Sequence, residues 1–231
     1  MPFSKTVDES RVYDRLLKLV FSGSMAPGER LVERRLAEQL GVSRIPVRES
    51  VREMLAQGLL VGGDKWAGAC TRNYTPAEVR QLSEYRRILE GGAARLAARH
   101  TDRNDLAHLD RLREETEKEV GNYGSPRWAQ LDHEFHAALA QASHNERLIH
   151  TMQHLLAECH YVFYVYPRQQ RRPELSYADA VAQMARVVKD HGAIVERIRQ
   201  ADADGAERLA RAHLLVTGRQ AASDLAGGEE L

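Results

Sequence analysis

Four side chains in the second half of the chain have the types and spacing of a metal site. Asp132 and His136 are four residues apart in a helical pattern, so both project from one face. His191 and His213 lie among apolar residues of two later segments, which predicts that they point into a helical bundle. Three imidazoles and one carboxylate suit Zn²⁺ first, with Ni²⁺, Mn²⁺ and Fe²⁺ as alternatives. The competing interpretation is that each histidine is an ordinary core residue.

A second set of side chains suits nucleic acid. Arg44, Arg48 and Arg52 recur every four residues and form one basic ridge on a predicted helix, which Ser43 is placed to cap. A helix of this kind fits the major groove, where arginine can donate two hydrogen bonds to guanine. Alone, such a ridge is more often a solvated helix face. The predicted inward stripe of this helix is Val47, Val51 and Leu55.

The elements around that ridge predict a winged helix-turn-helix domain at 1–74. A helix with an apolar stripe comes first, and a short helix ending at Gly41 follows, with Arg34 and Arg35 near its start, where backbone phosphates are commonly contacted. Two short strands around the glycine-rich loop 62–68 would form the wing. Residues 1–74 carry 12 basic and 9 acidic side chains, a mild excess that favours phosphate.

Beyond residue 74 the pattern is almost wholly helical, so the fold class is mainly α, with an antiparallel helical bundle at 75–226. Thr75, Pro76 and Glu78 supply a helix cap, a proline at the first helical position and a capping-box glutamate. A disordered tail is predicted at 227–231. The six predicted helices span 76–99, 103–120, 126–142, 145–165, 176–201 and 203–222.

Bulk composition excludes several classes of protein. No stretch reaches the roughly 18 to 20 uninterrupted apolar residues of a membrane span, and the N-terminus lacks an apolar signal core. Cys70 and Cys159 match neither a disulfide framework nor a paired metal knuckle. The net charge is zero, which argues against an indiscriminate nucleic-acid binder. We therefore expect a cytoplasmic protein without membrane association.

The N-terminal segment resembles the GntR family of bacterial regulators. The resemblance rests on PGERL at 27–31, ERRLAEQLGVSRIPVRE at 33–49 and GLL at 58–60. It implies that Arg34, Arg44 and Arg48 contact operator DNA. The wing departs from the family, which often has an Arg-Gly pair near the tip where this chain has Trp66-Ala67. Lys65 is a candidate phosphate contact in its place.

Residues 76–222 resemble the FCD ligand-binding domain of the FadR branch of that family. The resemblance rests on RRILE at 86–90, followed by an alanine-rich stretch, and on DHEFHAALAQASHN at 132–145. It implies that Asp132, His136, His191 and His213 bind a metal ion. Six helices fit the shorter, VanR-like form of the domain. The family tends to have glycine where this chain has His144, so the resemblance implies a strained or differently built turn there.

Together the two resemblances imply a dimeric regulator, expected to be a repressor relieved by its effector, that binds a palindromic operator. An open metal position would attract a small carboxylate, and Arg86 is the candidate to bind the same anion. Tyr161 and Tyr164 are candidates to line the pocket. For Arg86 the alternative is a surface or intersubunit salt bridge, and for the tyrosines it is core or dimer-interface packing.

Two rival functions remain open at the level of sequence. Three histidines and a carboxylate around an open metal position also describe hydrolases and oxygenases. A His-Glu-x-x-His helix is absent, however, and a winged domain would have no use on an enzyme, so we do not expect catalysis. The other rival is a metal-independent regulator that senses an acyl-CoA or a sugar.

Overall fold

The computed structural model describes residues 7–62, 68–122, 125–166 and 176–226, with side chains described from residue 12 to residue 215 within those ranges. The described residues divide into two compact units. The N-terminal unit contains the residues up to 74 together with 161–166, and the helical unit contains 75–160 and the residues from 176 onward. The predicted tail at 227–231 and the wing residues Lys65, Trp66 and Ala67 lie outside the described residues.

The N-terminal unit has three helices followed by a two-stranded sheet. The helices are α1 (Val7–Phe21), α2 (Glu33–Leu40) and α3 (Arg44–Ala56), and the strands are β1 (Val61–Gly62) and β2 (Ala69–Cys70). The strands are antiparallel, with Val61 opposite Cys70. Arg30 makes a further bridge to Cys70, so the segment before α2 lies beside the sheet. The order is that of a winged helix-turn-helix.

Apolar side chains of α1, α2 and α3 form the core of this unit, and the helical period explains most of them. The stripe on α3 differs from the prediction in one place: Met54 is fully buried, whereas Leu55 is only half-buried. The inward face therefore follows positions 47, 50, 51 and 54, the spacing that an α-helix presents to a neighbour. Val47 and Val51 are buried as predicted, and the apolar residues of α1 and α2 are buried with them, namely Val12, Leu16, Leu17, Val20, Leu36, Ala37 and Leu40.

The turn between α2 and α3 fixes where the recognition helix begins. Gly41 has φ 65° and ψ 36°, a left-handed conformation that glycine adopts without steric cost, and its N–H donates to the carbonyls of Ala37 and Glu38. Ser43 is the N-cap residue of α3, but in the described structure its side chain makes no capping hydrogen bond. The predicted capping function of this hydroxyl is therefore wrong, and the exposed hydroxyl is available to a ligand.

The helical unit contains six α-helices among its described residues. They are α4 (Pro76–His100), α5 (Arg103–Lys118), α6 (Pro126–Gln141), α7 (Glu146–His160), α8 (Tyr177–Arg199) and α9 (Ala203–Ala226). The capping box that begins α4 has both of its hydrogen bonds: Glu78 N–H donates to Thr75 Oγ1, and Thr75 N–H donates to the Glu78 carboxylate. The predicted mainly α fold class is confirmed.

Small residues let α4 lie close to its neighbours. Ala93, Ala94 and Ala97 on α4 are fully buried. Gly91 faces Arg211 of α9 so closely that a Cβ atom at position 91 would lie 2.7 Å from Arg211 Cγ. A side chain at Gly91 would therefore force α9 or Arg211 to move.

The helix predicted at 145–165 is not one regular α-helix. α7 ends at His160 and is followed by a π-helical turn at Tyr161–Val165. Tyr161 belongs to the N-terminal unit, where its ring packs against those of Phe21, Tyr74 and Tyr166 at centroid distances of 5.5, 6.2 and 5.9 Å. These four rings form part of the core of that unit.

The turn before α7 contains a residue with a positive φ angle. His144 has φ 50°, so the turn in which this chain departs from the family pattern is strained for a residue with a side chain. Its Nε2 lies 2.7 Å from Asp105 Oδ2.

Over the ranges that the structure describes, no helix combines the length and apolar character needed to cross a membrane.

Candidate metal centre and DNA-reading helix

Three histidines from three helices meet inside the helical unit. His136 lies on α6, His191 on α8 and His213 on α9, and one ring nitrogen from each lies within 4.8 Å of the other two. All three side chains are buried. His136 was named from the sequence for its spacing from Asp132, and His191 and His213 for their apolar surroundings; the structure brings the three together.

Asp132 completes the group of four predicted ligands. Its Oδ1 lies 3.7 Å from His136 Nε2 and 3.7 Å from His191 Nε2. The carboxylate is buried, which would raise its pKa, but His136, His191 and Arg86 outweigh that effect and hold the pKa well below its usual range. Asp132 is therefore an ionised oxygen donor facing imidazole nitrogens.

Two carboxylates that the sequence did not single out hold the outer nitrogens of this group. Glu90 Oε2 on α4 lies 2.5 Å from His136 Nδ1, and Asp190 Oδ2 on α8 lies 3.1 Å from His213 Nδ1. Each occupies the Nδ1 side of its imidazole. The signal available in the sequence was weak, because Glu90 and Asp190 each follow an arginine by four residues, a spacing that is usually a surface pair.

His191 differs from the other two histidines. Neither Nδ1 nor Nε2 of His191 has a hydrogen-bond partner among the described residues, although the side chain is fully buried. Its ring is stacked on Phe135, with centroids 3.8 Å apart and planes at 8°. Because buried polar atoms are nearly always satisfied, these two nitrogens fit a group that binds there. A metal ion would satisfy one of them.

The charge states of two of the three imidazoles also suit ligation. Burial lowers the pKa of His191 and of His213, which keeps both neutral and their lone pairs available. Burial acts the same way on His136, but the Glu90 and Asp132 carboxylates together outweigh it and raise the pKa. The pKa of Glu90 itself is about 2, because Arg86 and His136 together outweigh the cost of its burial. Glu90 is thus a permanent anion in the protein interior.

The three predicted effector-binding residues lie in different settings. Arg86 is buried and donates from Nε to Glu90 Oε1 at 2.5 Å, so it makes an intrachain ion pair rather than the surface or intersubunit pair considered as the alternative. Tyr161 belongs to the aromatic core of the N-terminal unit, as described above. Tyr164 is half-buried. Contact of these residues with an effector stays a prediction.

The basic ridge of α3 is exposed and tethered to α2. Arg48 Nε lies 3.0 Å from Glu33 Oε2, and Arg44 Nη2 lies 3.8 Å from the same oxygen. The Arg44 and Arg48 side chains remain 60% and 43% exposed. Arg52 pairs with Glu49 one turn earlier, 3.1 Å apart. The ridge can therefore reach a groove, and Glu33 occupies the position that an anionic ligand would take.

The remaining predicted DNA contacts lie near the start of α2. Arg34 pairs with Glu38 at 2.9 Å, and Arg35 lies 3.8 Å from Glu29. Both arginine side chains are 72% exposed, so they are accessible to phosphate. Lys65, the predicted wing contact, lies outside the described residues.

Comparison with known proteins assigns both parts of the chain. Residues 9–63 match the model of the gntR family of bacterial regulatory proteins, and residues 81–215 match that of the FCD domain. The chain is 29% identical over 202 residues to the HTH-type transcriptional regulator YdhC of Bacillus subtilis, covering 87% of this chain and 85% of the relative. It is 30% identical over 225 residues to the Glc operon transcriptional activator of Escherichia coli, covering 88% and 84%.

The fold agrees with a solved structure as well. E. coli McbR/YncC superposes with a TM-score of 0.75 at 20% identity, covering 97% of this chain and 99% of that chain. These relatives and both matching families are transcription regulators, not enzymes. The chain belongs to the GntR family of bacterial transcription regulators and joins a GntR helix-turn-helix domain to an FCD effector-binding domain.

Proposed function

We propose that this regulator binds a palindromic operator as a homodimer and senses a small carboxylate at a divalent metal site in the FCD domain. The observation that carries the proposal is the buried histidine group, in which both nitrogens of His191 have no hydrogen-bond partner among the described residues. Without an ion, burying this cluster would be costly, because the polar nitrogens of His191 would stay unsatisfied in the interior.

Asp132, His136, His191 and His213 would hold the ion, with Zn²⁺ the first candidate and Ni²⁺, Mn²⁺ or Fe²⁺ the alternatives. The ion would supply a Lewis-acid position that a carboxylate can occupy. Asp132 would supply negative charge to the ion. Because Asp132 and the three imidazoles are buried, bulk water has little access to the site. Arg86, Tyr161 and Tyr164 remain candidates for the effector contact.

On the DNA side, we assign Arg44 and Arg48 to base edges in the major groove, since they lie in the first turns of an exposed recognition helix. Ser43 has an exposed hydroxyl with no capping bond in the described structure, which suits a phosphate. The other phosphate contacts in this proposal are Arg34, Arg35, Arg52 and Lys65.

An exposed apolar face on α4 supports the homodimer. Tyr85 and Ile88 are 47% and 54% exposed, unusual for large apolar side chains. One turn beyond Ile88, a Cβ atom at Gly92 would meet nothing within 4 Å, so the surface is open there. In a twofold antiparallel crossing centred between residues 88 and 89, Tyr85 of one copy would enter the space beside Gly92 of the other. The occupant we propose is therefore a second copy of this chain.

Effector binding would change operator affinity through a linkage between the two sites. Following the commoner pattern in the family, we expect repression that the effector relieves. The Glc operon relative is named as an activator, so operator affinity should be measured with and without effector. An effector that lowers operator affinity fits a repressor, and one that raises it contradicts this part of the proposal.

The decisive experiment combines elemental analysis with a thermal-shift screen. Purified protein should contain about one divalent ion per chain, and small carboxylates should raise its melting temperature only when no chelator is present. His136→Ala should abolish both results, whereas His108→Ala, which removes an exposed histidine on α5, should change neither. If carboxylates still raise the melting temperature in the presence of chelator, or if only acyl-CoA or a sugar raises it, the metal-independent regulator is favoured.

A further inference from the structure

The two histidines whose Nδ1 atoms are occupied are held by the same construction on different helices. On α4, Arg86 pairs with Glu90 at 2.5 Å, and Glu90 lies 2.5 Å from His136 Nδ1. On α8, Arg186 pairs with Asp190 at 3.2 Å, and Asp190 lies 3.1 Å from His213 Nδ1. In both cases the arginine precedes the carboxylate by one helical turn and the imidazole comes from another helix.

We propose that Glu90 and Asp190 are positioning residues that determine how tightly the histidine group holds a cation. They do so by fixing the rings of His136 and His213 with Nε2 directed toward the common centre. The inference rests on the metal-binding part of the proposed function and adds to it two residues, with their arginine partners, that the sequence did not assign to the site.

The hydrogen-bonding capacity of imidazole explains how these carboxylates act on the rings. A neutral imidazole has one N–H and one lone pair, and a carboxylate beside Nδ1 requires the N–H to be there. Nε2 then carries the lone pair that a cation needs, and the negative charge behind the ring makes that lone pair more basic. The geometry agrees with this for His136, since its Nε2 faces Asp132 Oδ1 at 3.7 Å.

The two constructions differ in burial, which predicts unequal effects. The side chains of Arg86 and Glu90 are 5% and 1% exposed, whereas those of Arg186 and Asp190 are 34% and 31% exposed. Water can accept part of the hydrogen bonding that Asp190 provides to His213, but it has little access to Glu90. Glu90 should therefore matter more to cation binding than Asp190.

The third histidine serves as an internal reference. Among the described residues, no carboxylate is hydrogen-bonded to His191, and its ring is held by the stacking on Phe135 instead. Removing Glu90 or Asp190 should leave this ring in place. The loss of affinity should therefore be partial, unlike the loss expected when a ligand itself is removed.

The test is Zn²⁺ affinity of the full-length protein, measured by competition with a chromophoric chelator. Glu90→Gln keeps the size of the side chain but removes its charge, and should weaken binding by about 10- to 100-fold. Asp190→Asn should weaken it by less than about tenfold. The matched control is Glu117→Gln on α5, which removes an exposed carboxylate paired with Arg113 one turn earlier and should change nothing.

A second readout separates positioning from simple folding. With Co²⁺ as the probe, Glu90→Gln should alter the visible absorption spectrum of the bound ion, because the ring orientation and basicity of His136 change. Glu117→Gln should give the unaltered spectrum. If Glu90→Gln does not fold, the double variant Arg86→Met with Glu90→Gln removes both charges without leaving one buried alone, and the same loss of affinity is expected of it.

The outcomes are distinct. Wild-type affinity and an unchanged Co²⁺ spectrum in Glu90→Gln, or in the double variant, would overturn the inference while leaving the metal proposal intact. A larger loss in Asp190→Asn than in Glu90→Gln would overturn the assigned order. Wild-type protein that binds neither Zn²⁺ nor Co²⁺ would instead overturn the proposed function itself.

Discussion

On α3, Arg44 and Arg48 reach Glu33 while about half of each side chain stays in solvent, whereas on α4 Arg86 meets Glu90 almost completely out of water. An exposed pair contributes roughly 0 to 1 kcal/mol, so an arginine can leave it for a phosphate or a base at little cost. A buried pair is different, because losing one partner leaves an uncompensated charge in the interior. The same pair of residue types is exchangeable at one site and fixed at the other.

The largest effect is expected when one partner of the buried pair is removed. Arg86→Ala should lower the free energy of unfolding by about 3 to 5 kcal/mol, because Glu90 would remain buried and unpaired by arginine. Denaturant unfolding in the presence of a chelator measures it. Arg113→Ala, which removes the arginine of a more exposed pair on α5, should cost less than about 1 kcal/mol. Equal costs for the two variants would show that burial does not distinguish them.

The next largest effect is expected on the affinity for operator DNA. Arg48→Ala should cost on the order of 1 to 3 kcal/mol of binding free energy on an operator selected from random oligonucleotides, if the guanidinium leaves Glu33 for a base. Fluorescence anisotropy on operator and on random DNA of the same length separates the possibilities. Arg52→Ala should weaken both equally, as expected of a phosphate contact. Equal losses for Arg48→Ala would assign that residue to phosphate too.

A smaller effect should follow from releasing the exposed tether. Glu33→Gln removes the carboxylate that holds Arg44 and Arg48, so affinity for random DNA should rise by a factor of about 2 to 5, the equivalent of less than about 1 kcal/mol. The same anisotropy assay measures this rise. Glu117→Gln removes an exposed carboxylate paired with Arg113, which is not a proposed DNA contact, and serves as the control for a general loss of negative charge. A drop in affinity in Glu33→Gln would mean that Glu33 organises the arginines for binding.

The smallest effect concerns an exposed histidine–carboxylate pair, the counterpart of His136 and Glu90. A hydrogen bond to Asp105 raises the pKa of His144. Because the folded pKa is above the unfolded value, the stabilisation is fully present below about pH 6.5 and is lost as pH rises through the folded pKa. The melting-temperature difference between wild type and His144→Gln should therefore be larger at pH 6 than at pH 9. A difference that does not change with pH would contradict the pairing.

Local and periodic features of the molecule were predictable from its sequence. The capping box at Thr75 and the left-handed turn at Gly41 depend on a few neighbouring residues. The apolar surroundings of His191 and His213 predicted that both face the interior, and the family resemblance implied that they meet His136. Periodicity locates a residue on a helix face without reference to what packs against it.

Features that depend on tertiary packing were missed. Glu90 and Asp190 look like members of surface pairs until the opposing histidine is known. Met54 rather than Leu55 is buried on α3, and the π-helical turn after α7 interrupts a pattern that was predicted to be one α-helix. In each case the deciding neighbour is distant in sequence.

Gly91 affects how close two helices around the histidine group can lie. It is next to Glu90 on α4, and Arg211 of α9 occupies the space that a methyl group at position 91 would fill. α4 carries Glu90, which lies beside His136 Nδ1, and α9 carries His213. In the proposed metal site, a residue without a side chain would therefore help to set the distance between two of the ligands.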